Sequence, residues 1–415
     1  MRIVGTIVGT VVAASLLAAP PLDAQDTPLP RAGAFFVNVL TTGAQINPDI
    51  AADGADNFQV VWQSATGDPV HQDVRIRRVP ASLTLPAEEP LAQSTALDQE
   101  DPRIAMQPDG DWVAIWRSDH DAEGKSLPIG RFTTSAGGVV EDELELTAGI
   151  APNVVRLDAA WVGAENFVGA WRDSSDEVAA NLRGIEGKDF GLSDVAVGAN
   201  GAPAVAGLGD DGWVIAWHAP DASGDDAYLR CFAGEIATMD ALLAHTVTTG
   251  DQAQPDVASL GADRFAAVWR DDDAIVGRLF LRREDGSCTP DGPQFEVSSP
   301  GDAGTSPRVG AAADGAFVVV WSESTLDTDG GVAAREFRHD GTPIGEPFAV
   351  HPAFPGLQGG PSVAVSASTF GVVWNHADDD EPAELDIAAR IFFRRLAFSD
   401  GFESGNFARW SDTQP

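Results

Sequence analysis

Apolar residues recur along this chain in short runs, each bounded by Asp, Gly or Pro, and the runs return with a period of about 50 residues. Tryptophans mark the period. Trp62, Trp116, Trp171, Trp217, Trp269, Trp321 and Trp374 are separated by 54, 55, 46, 52, 52 and 53 residues. Four residues before each stands another aromatic: Phe58, Trp112, Phe167, Trp213, Phe265, Phe317 and Phe370. The residues between are nearly all apolar, as in Phe317-Val-Val-Val-Trp321. Upstream comes a proline followed two residues later by Val or Ile: Pro48/Ile50, Pro102/Ile104, Pro152/Val154, Pro203/Val205, Pro255/Val257, Pro307/Val309 and Pro361/Val363. The offset from this proline to the tryptophan is 14 in five copies, 13 in the last and 19 in the third. Turn pairs such as Asp53-Gly54, Asp109-Gly110, Asp211-Gly212 and Asp314-Gly315 separate the runs. Downstream lies an Ala-x-Arg-x-Phe segment with Arg77, Arg131, Arg230, Arg278, Arg335 or Arg390, a position taken by Asn181 in the third copy.

Four short strands per 50-residue unit predict a β-propeller. Residues four apart in a strand point to one face, so each aromatic pair lines one side of its strand. The residues between are also apolar, which implies burial on both faces, as in a blade sandwiched by its neighbours. Helical solenoids need long runs of 3.6 periodicity, and these runs are short, rich in Val and Phe, and broken by Gly and Pro. The seventh copy lacks a fourth strand after the run near 387–393, whereas Ala34-Phe-Phe-Val-Asn-Val39 precedes the first proline. The prediction is all-β: a seven-bladed propeller of four-stranded blades over 34–397, closed by an N-terminal strand that completes the last blade and removes a free sheet edge.

The string Pro-x-Val-Ala, Asp-Gly, Phe-Val-Val-Val-Trp, Ala-x-Arg-x-Phe, cleanest from Pro307 to Val350, resembles the repeats of secreted bacterial β-propeller proteins. The resemblance implies an extracellular interaction or adhesion module and no shared catalytic set. The tail 398–415, containing Phe398-Ser-Asp-Gly-Phe-Glu-Ser-Gly, is similar to C-terminal segments of other secreted proteins, where such a tail serves export or surface sorting; a plain acidic tail is the other reading.

The ends and the charge narrow the class. Arg2, an apolar stretch from Ile3 to Ala19, and small residues around Ala24 have the layout of a signal peptide spanning 1–24. Secretion or cell-surface display is therefore expected, with the periplasm as a further compartment. No later run is apolar enough to span a bilayer, so no membrane insertion is expected, and the chain is expected to act as a monomer. With 63 Asp+Glu against 26 Lys+Arg the formal net charge is −37. Nucleic acid is excluded as a partner, because its recognition needs basic surface. Two cysteines, Cys231 and Cys288, are free to pair or not in an oxidising compartment.

Candidate chemistry lies after the tryptophans. Arg117, Arg172, His218 and Arg270 each directly follow one, and on a ring they converge toward a site for a carboxylate or sulfate. Nearby Asp residues make local ion pairing the plainer reading. The loops beyond are rich in Asp, and Asp119, Asp121 and Glu123 before Gly124 place carboxylates at alternate positions, as calcium ligands often stand. Solvated turns account for them equally simply. H-E-x-x-H, G-x-S-x-G and clustered cysteines are absent. Tyr228, the single tyrosine, reads as a packing residue. The expected function is a non-catalytic binding or adhesion module that meets an extracellular protein or polysaccharide through an acidic loop face. The alternative is a hydrolase or lyase acting on an extracellular polysaccharide. Clustered, desolvated carboxylates at the channel would favour the enzyme, and evenly spread solvated ones the binder.

Overall fold

The computed structural model describes residues 27–395, apart from short stretches at 66–70, 94–96, 120–125, 148–152, 185–188, 223, 247–248, 300, 302–303, 325–329, 352–355 and 378–384. The expected signal peptide and C-terminal tail lie outside these residues. Among them the chain forms strands and turns only, arranged as seven antiparallel sheets that follow one another around a ring: a seven-bladed β-propeller.

Each blade runs from the axis outward in chain order. Blade 1 comprises Gln45–Ala52, Phe58–Ser64, Asp73–Val79 and Glu89–Pro90. Blade 2 comprises Gln99–Met106, Trp112–Asp119, Ser126–Thr133 and Val139–Glu145. Blade 3 comprises Val154–Val162, Asn166–Asp173, Glu177–Gly184 and Asp189–Val197. In blade 4, Asn200–Leu208, Gly212–Pro220 and Asp225–Ala233 are followed by two short outer segments, Ile236–Ala237 and Leu242–Leu243. Blade 5 repeats that plan with Gln252–Ser259, Arg264–Asp271, Ala274–Arg282, and then Cys288–Pro290 and Phe295–Glu296. Blade 6 comprises Thr305–Ala311, Phe317–Glu323, Gly331–Phe337 and Phe348–Ala349. Blade 7 has Leu357–Val365, Thr369–Ala377 and Leu385–Phe393, and its outer strand is Phe35–Phe36 from the start of the chain. Phe35 pairs with Ala389 and Phe36 with Ala388, so the ring closes as the sequence predicts.

The buried residues fall into seven clusters, one in each seam between blades. Phe58, Val60 and Trp62 of blade 1 pack against Val373, Ile387 and Ile391 of blade 7, while Val61, Val74 and Ile76 on the other face of blade 1 meet Trp112 and Trp116 of blade 2. Every second strand thus turns its aromatics to the preceding blade and its aliphatics to the following one. The seven period-marking tryptophans are at most 4% exposed. Burying each such side chain stabilises by roughly 1.5–3 kcal/mol. Two of these indoles donate their Nε1–H to an inner-strand glutamine, Trp62 to Gln45 at 2.9 Å and Trp116 to Gln99 at 2.8 Å.

The repeated arginine fastens each seam from outside. Arg77, Arg131, Arg230, Arg278, Arg335 and Arg390 donate to the backbone carbonyls of Val37, Leu91, Val195, Ala244, Val297 and Val350, each on the preceding blade. Asn181 fills the same place in blade 3, donating to the Leu146 carbonyl at 2.6 Å. In blades 4 to 7 the guanidinium also lies over the phenylalanine two residues on, at 5.0 Å from the ring centre for Arg390 and Phe392. The partner on the neighbouring blade is in each case a backbone carbonyl. The blade edge presents unpaired C=O groups there, and a charged donor satisfies them strongly.

The third copy departs from the sequence alignment. Asp158 stands opposite Ala170, as Asp49 stands opposite Val61, so Leu157-Asp158-Ala159 is the equivalent of the Pro-x-Val triplet. Pro152 and Val154 fall earlier, and the odd offset of 19 is a lengthened entry to this strand. Register follows the residues that reach the seam, not the position of the proline.

Cys231 and Cys288 form a disulfide that ties blade 4 to blade 5 across a sequence separation of 57 residues. A loop of that size corresponds to a stabilisation of about 4 kcal/mol on the chain-entropy account. Reduction, or Cys288→Ser, is therefore expected to lower the melting midpoint by several degrees. An unchanged midpoint, with both thiols shown free by titration, would contradict that assignment.

Candidate functional site

One residue of each inner strand stands opposite the residue just before the tryptophan: Asp49, Arg103, Asp158, Ala204, Asp256, Arg308 and Ser362. Equal register puts these seven at one level around the axis. Arg308 of blade 6 lies in the combined field of Asp256, Asp158, Asp49 and Asp101. Those carboxylates belong to four other blades, so its guanidinium reaches toward the centre. It approaches Asp256 at 3.5 Å, and Arg103 pairs with Asp101 at 2.9 Å.

The three ring aspartates are also staples between blades. Asp49 accepts the Ile104 N–H at 2.9 Å and the Ser362 hydroxyl at 2.6 Å, Asp158 accepts the Val205 N–H at 2.8 Å, and Asp256 accepts the Val309 N–H at 2.7 Å. Asp158 is surrounded by protein, and this burial raises its pKa to about 7. Arg308 and the Val205 N–H oppose the rise, while Asp256 and Asp49 add to it. Burial raises Asp256 as well, against Arg308 and two backbone N–H groups. For Arg308 burial works against the charge, but the four carboxylates outweigh it and push its pKa up.

Two residues further along each inner strand the side chains are Ala51, Ala105, Ala160, Ala206, Ala258, Gly310 and Ala364. Here the strands crowd together: a Cβ on Gly310 would stand 2.8 Å from the Val363 carbonyl oxygen. These residues line a cavity of about 520 Å³ that opens on the side of the inner-strand C-termini.

The opposite face carries the residues that follow the tryptophans. All seven are polar: Gln63, Arg117, Arg172, His218, Arg270, Ser322 and Asn375. Three of them cap the irregular start of the next blade's inner strand. Gln63 accepts the Asp101 N–H at 3.2 Å, His218 Nδ1 accepts the Gln254 N–H at 3.2 Å, and Ser322 accepts the Gly360 N–H at 3.0 Å. Asp101, Gln254 and Gly360 have left-handed backbones, which turns their N–H outward. Gly201 leaves room for the His218 ring, since a Cβ there would meet Cε1 at 2.1 Å. Burial lowers the His218 pKa, Asp225 and Asp251 oppose this, and Arg270 and Arg172 add to it. A neutral ring keeps Nδ1 available as an acceptor.

The four predicted ligand residues thus occupy one face on successive blades, with different local roles. Arg117 pairs with Glu100 on the adjacent strand, and Arg172 pairs with Asp176. Arg270 donates to the Asp272 carbonyl at 3.4 Å. His218 serves the seam. Of the predicted calcium ligands, Asp119 accepts a hydrogen bond from Ser126, and Asp121 and Glu123 lie outside the described residues. No group of three metal-ligating side chains stands together among the described residues. Sequence reasoning missed the axial ring because six of its members are the unread middle residue of Pro-x-Val or Pro-x-Ile, and the seventh, Asp158, stands outside that motif. A charged residue in the middle of an otherwise apolar buried motif was the available signal.

No family model matches the chain, and no curated protein matches it by sequence. Among solved structures it is similar to a protein of unknown function from Dyadobacter fermentans, at 10% identity and TM-score 0.53, over 88% of this chain and 98% of that one. It also aligns with a Trypanosoma rangeli sialidase at 9% identity and TM-score 0.45, over 88% of this chain and 56% of that one. An α-L-arabinofuranosidase of Fusarium graminearum aligns at 10% identity and TM-score 0.47, over 70% and 92%. At these identities the likeness is one of fold.

Asp158 makes the ring sensitive to pH. Its folded pKa lies above the unfolded value of 3.8, so its contribution to stability is complete below that value and is lost as pH rises through about 7. Asp158→Asn keeps an acceptor for the Val205 N–H and cannot ionise. The variant is expected to melt at or above the wild-type midpoint at pH 7.5, with the difference vanishing near pH 4. An equal difference at both pH values would show that Asp158 does not titrate in this window.

Proposed function

We propose that this chain is a secreted propeller that binds an extracellular polysaccharide without cleaving it, through the face that carries the residues after the tryptophans. The observation that supports this most is the gathering of Arg117, Arg172, His218 and Arg270 at one level of four consecutive blades, set among Asp-bearing loop ends such as Asp271-Asp272-Asp273. A rigid ring presenting polar side chains from adjacent blades suits recognition of an extended ligand. The axial carboxylates are clustered, but each ring aspartate is engaged by a backbone N–H of the next blade. Glycoside cleavage needs an acid and a base, or an acid and a nucleophile, free to flank the sugar bond.

A second reading, a polysaccharide hydrolase, draws on one observation: the pKa of Asp158, about 7, suits a general acid at neutral pH. The criterion of clustered, desolvated carboxylates favours this reading, and the backbone N–H partners of the ring aspartates favour the first.

The two are separated by measuring glycan-array binding and release of reducing sugar on the same preparation. Saturable binding with no release is expected. Release that Asp158→Asn abolishes, with binding retained, would replace the binding module by the hydrolase.

A further inference from the structure

The first two strands of blade 3 set Arg156 directly opposite Arg172. Like charges at directly opposed positions destabilise an antiparallel pair. The arrangement stands against the trend of a chain with 63 acids and 26 basic residues. Arg156 is exposed, and among the described residues its guanidinium donates to the adjacent Val155 carbonyl at 2.7 Å and to no carboxylate. Arg172 has a partner, Asp176, but that side chain is 53% exposed and free to exchange.

The surrounding cations extend this pair into an arc. Burial lowers the pKa of Arg117 in blade 2, Asp119 and Asp98 oppose this, and Arg156 adds to it. Arg172 and Arg270 both act on His218, which lies between them in blade 4. Arg117, Arg172 and Arg270 hold the same repeat position on blades 2, 3 and 5, Arg156 stands across from the middle one, and His218 of blade 4 is committed to the Gln254 N–H. Glu100 and Asp176 hold Arg117 and Arg172 in place and leave donors over.

We propose that Arg117, Arg156, Arg172 and Arg270 form a subsite for the carboxylate or sulfate groups of an acidic polysaccharide. An anion between Arg156 and Arg172 turns an unfavourable contact into two favourable ones, and the planar guanidinium matches both anions bidentately. The net charge of −37 repels densely charged polymers, so the ligand carries sparse charge, on the order of one per sugar. This inference rests on the polysaccharide-binding reading.

The test is calorimetric titration of the full chain with polygalacturonate, dextran sulfate of low substitution (about one sulfate per sugar), neutral dextran, monomeric galacturonate and inorganic sulfate. Arg156→Ala and Arg338→Ala serve as the variants, both checked for folding by circular dichroism. Arg338 is exposed in a turn after the third strand of blade 6, away from the arc. Binding to polygalacturonate or dextran sulfate is expected, the stronger of the two naming the anion. Arg156→Ala should weaken it at least about tenfold, the worth of one charge-assisted contact, and Arg338→Ala should not. Acid-polymer binding that Arg156→Ala leaves intact would overturn the subsite. Binding to neutral dextran alone would overturn it and leave the binding module standing. Binding of galacturonate or sulfate alone, lost in Arg156→Ala, would keep the subsite and remove the polysaccharide reading. No binding to any probe would remove both.

Discussion

Each seam of this ring is held by two complementary surfaces, and neither is stable alone. The aromatic side of one blade has no mate within its own sheet, and neither has the aliphatic side of its neighbour. Trp62 is buried only because blade 7 covers it, and blade 7 is complete only because Phe35 and Phe36 supply its outer strand. Arg77 then reaches the Val37 carbonyl, fastening the start of the chain to blade 1 from the far side of the same seam. Closure is therefore a condition for every blade, since an open ring would leave one aromatic face and one row of carbonyls in water.

The axis inherits its chemistry from that closure. Seven inner strands converge on a channel, and at the level of Ala51 and Gly310 their small side chains leave an apolar cavity of about 520 Å³. One step nearer the loop face the side chains are larger, and five of the seven are charged. Asp49, Asp158 and Asp256 reach sideways to the next blade's backbone while Arg308 gathers their charge. The result is a polar belt that divides the channel into an apolar vestibule and a hydrophilic mouth. The raised pKa of Asp158 is a by-product of this position: a carboxylate used as a staple is held where water is scarce.

The mouth shows how one repeat position takes on unlike duties. Gln63, His218 and Ser322 accept the outward N–H of the next inner strand, and they could be exchanged for one another on that ground. Arginine cannot accept, so Arg117, Arg172 and Arg270 are released from that duty. They project cationic groups among the Asp-bearing loop ends.

Blade number, closure and the burial of the paired aromatics were legible in the chain itself, because a 50-residue period and a two-residue strand alternation are local properties that survive without coordinates. The arginine of Ala-x-Arg-x-Phe was legible as a repeated position, yet its carbonyl partner was not, since Val37 and Arg77 meet only when blades are laid side by side. The same holds for Asp158, which its shifted spacing hid until strand register aligned it with Asp49 and Asp256. Arg156 drew no attention in the sequence and matters only through the residue across from it. Repetition along a chain encodes which surfaces must be covered; which charges end up facing one another is decided by register and by curvature, and these exist only in the closed ring.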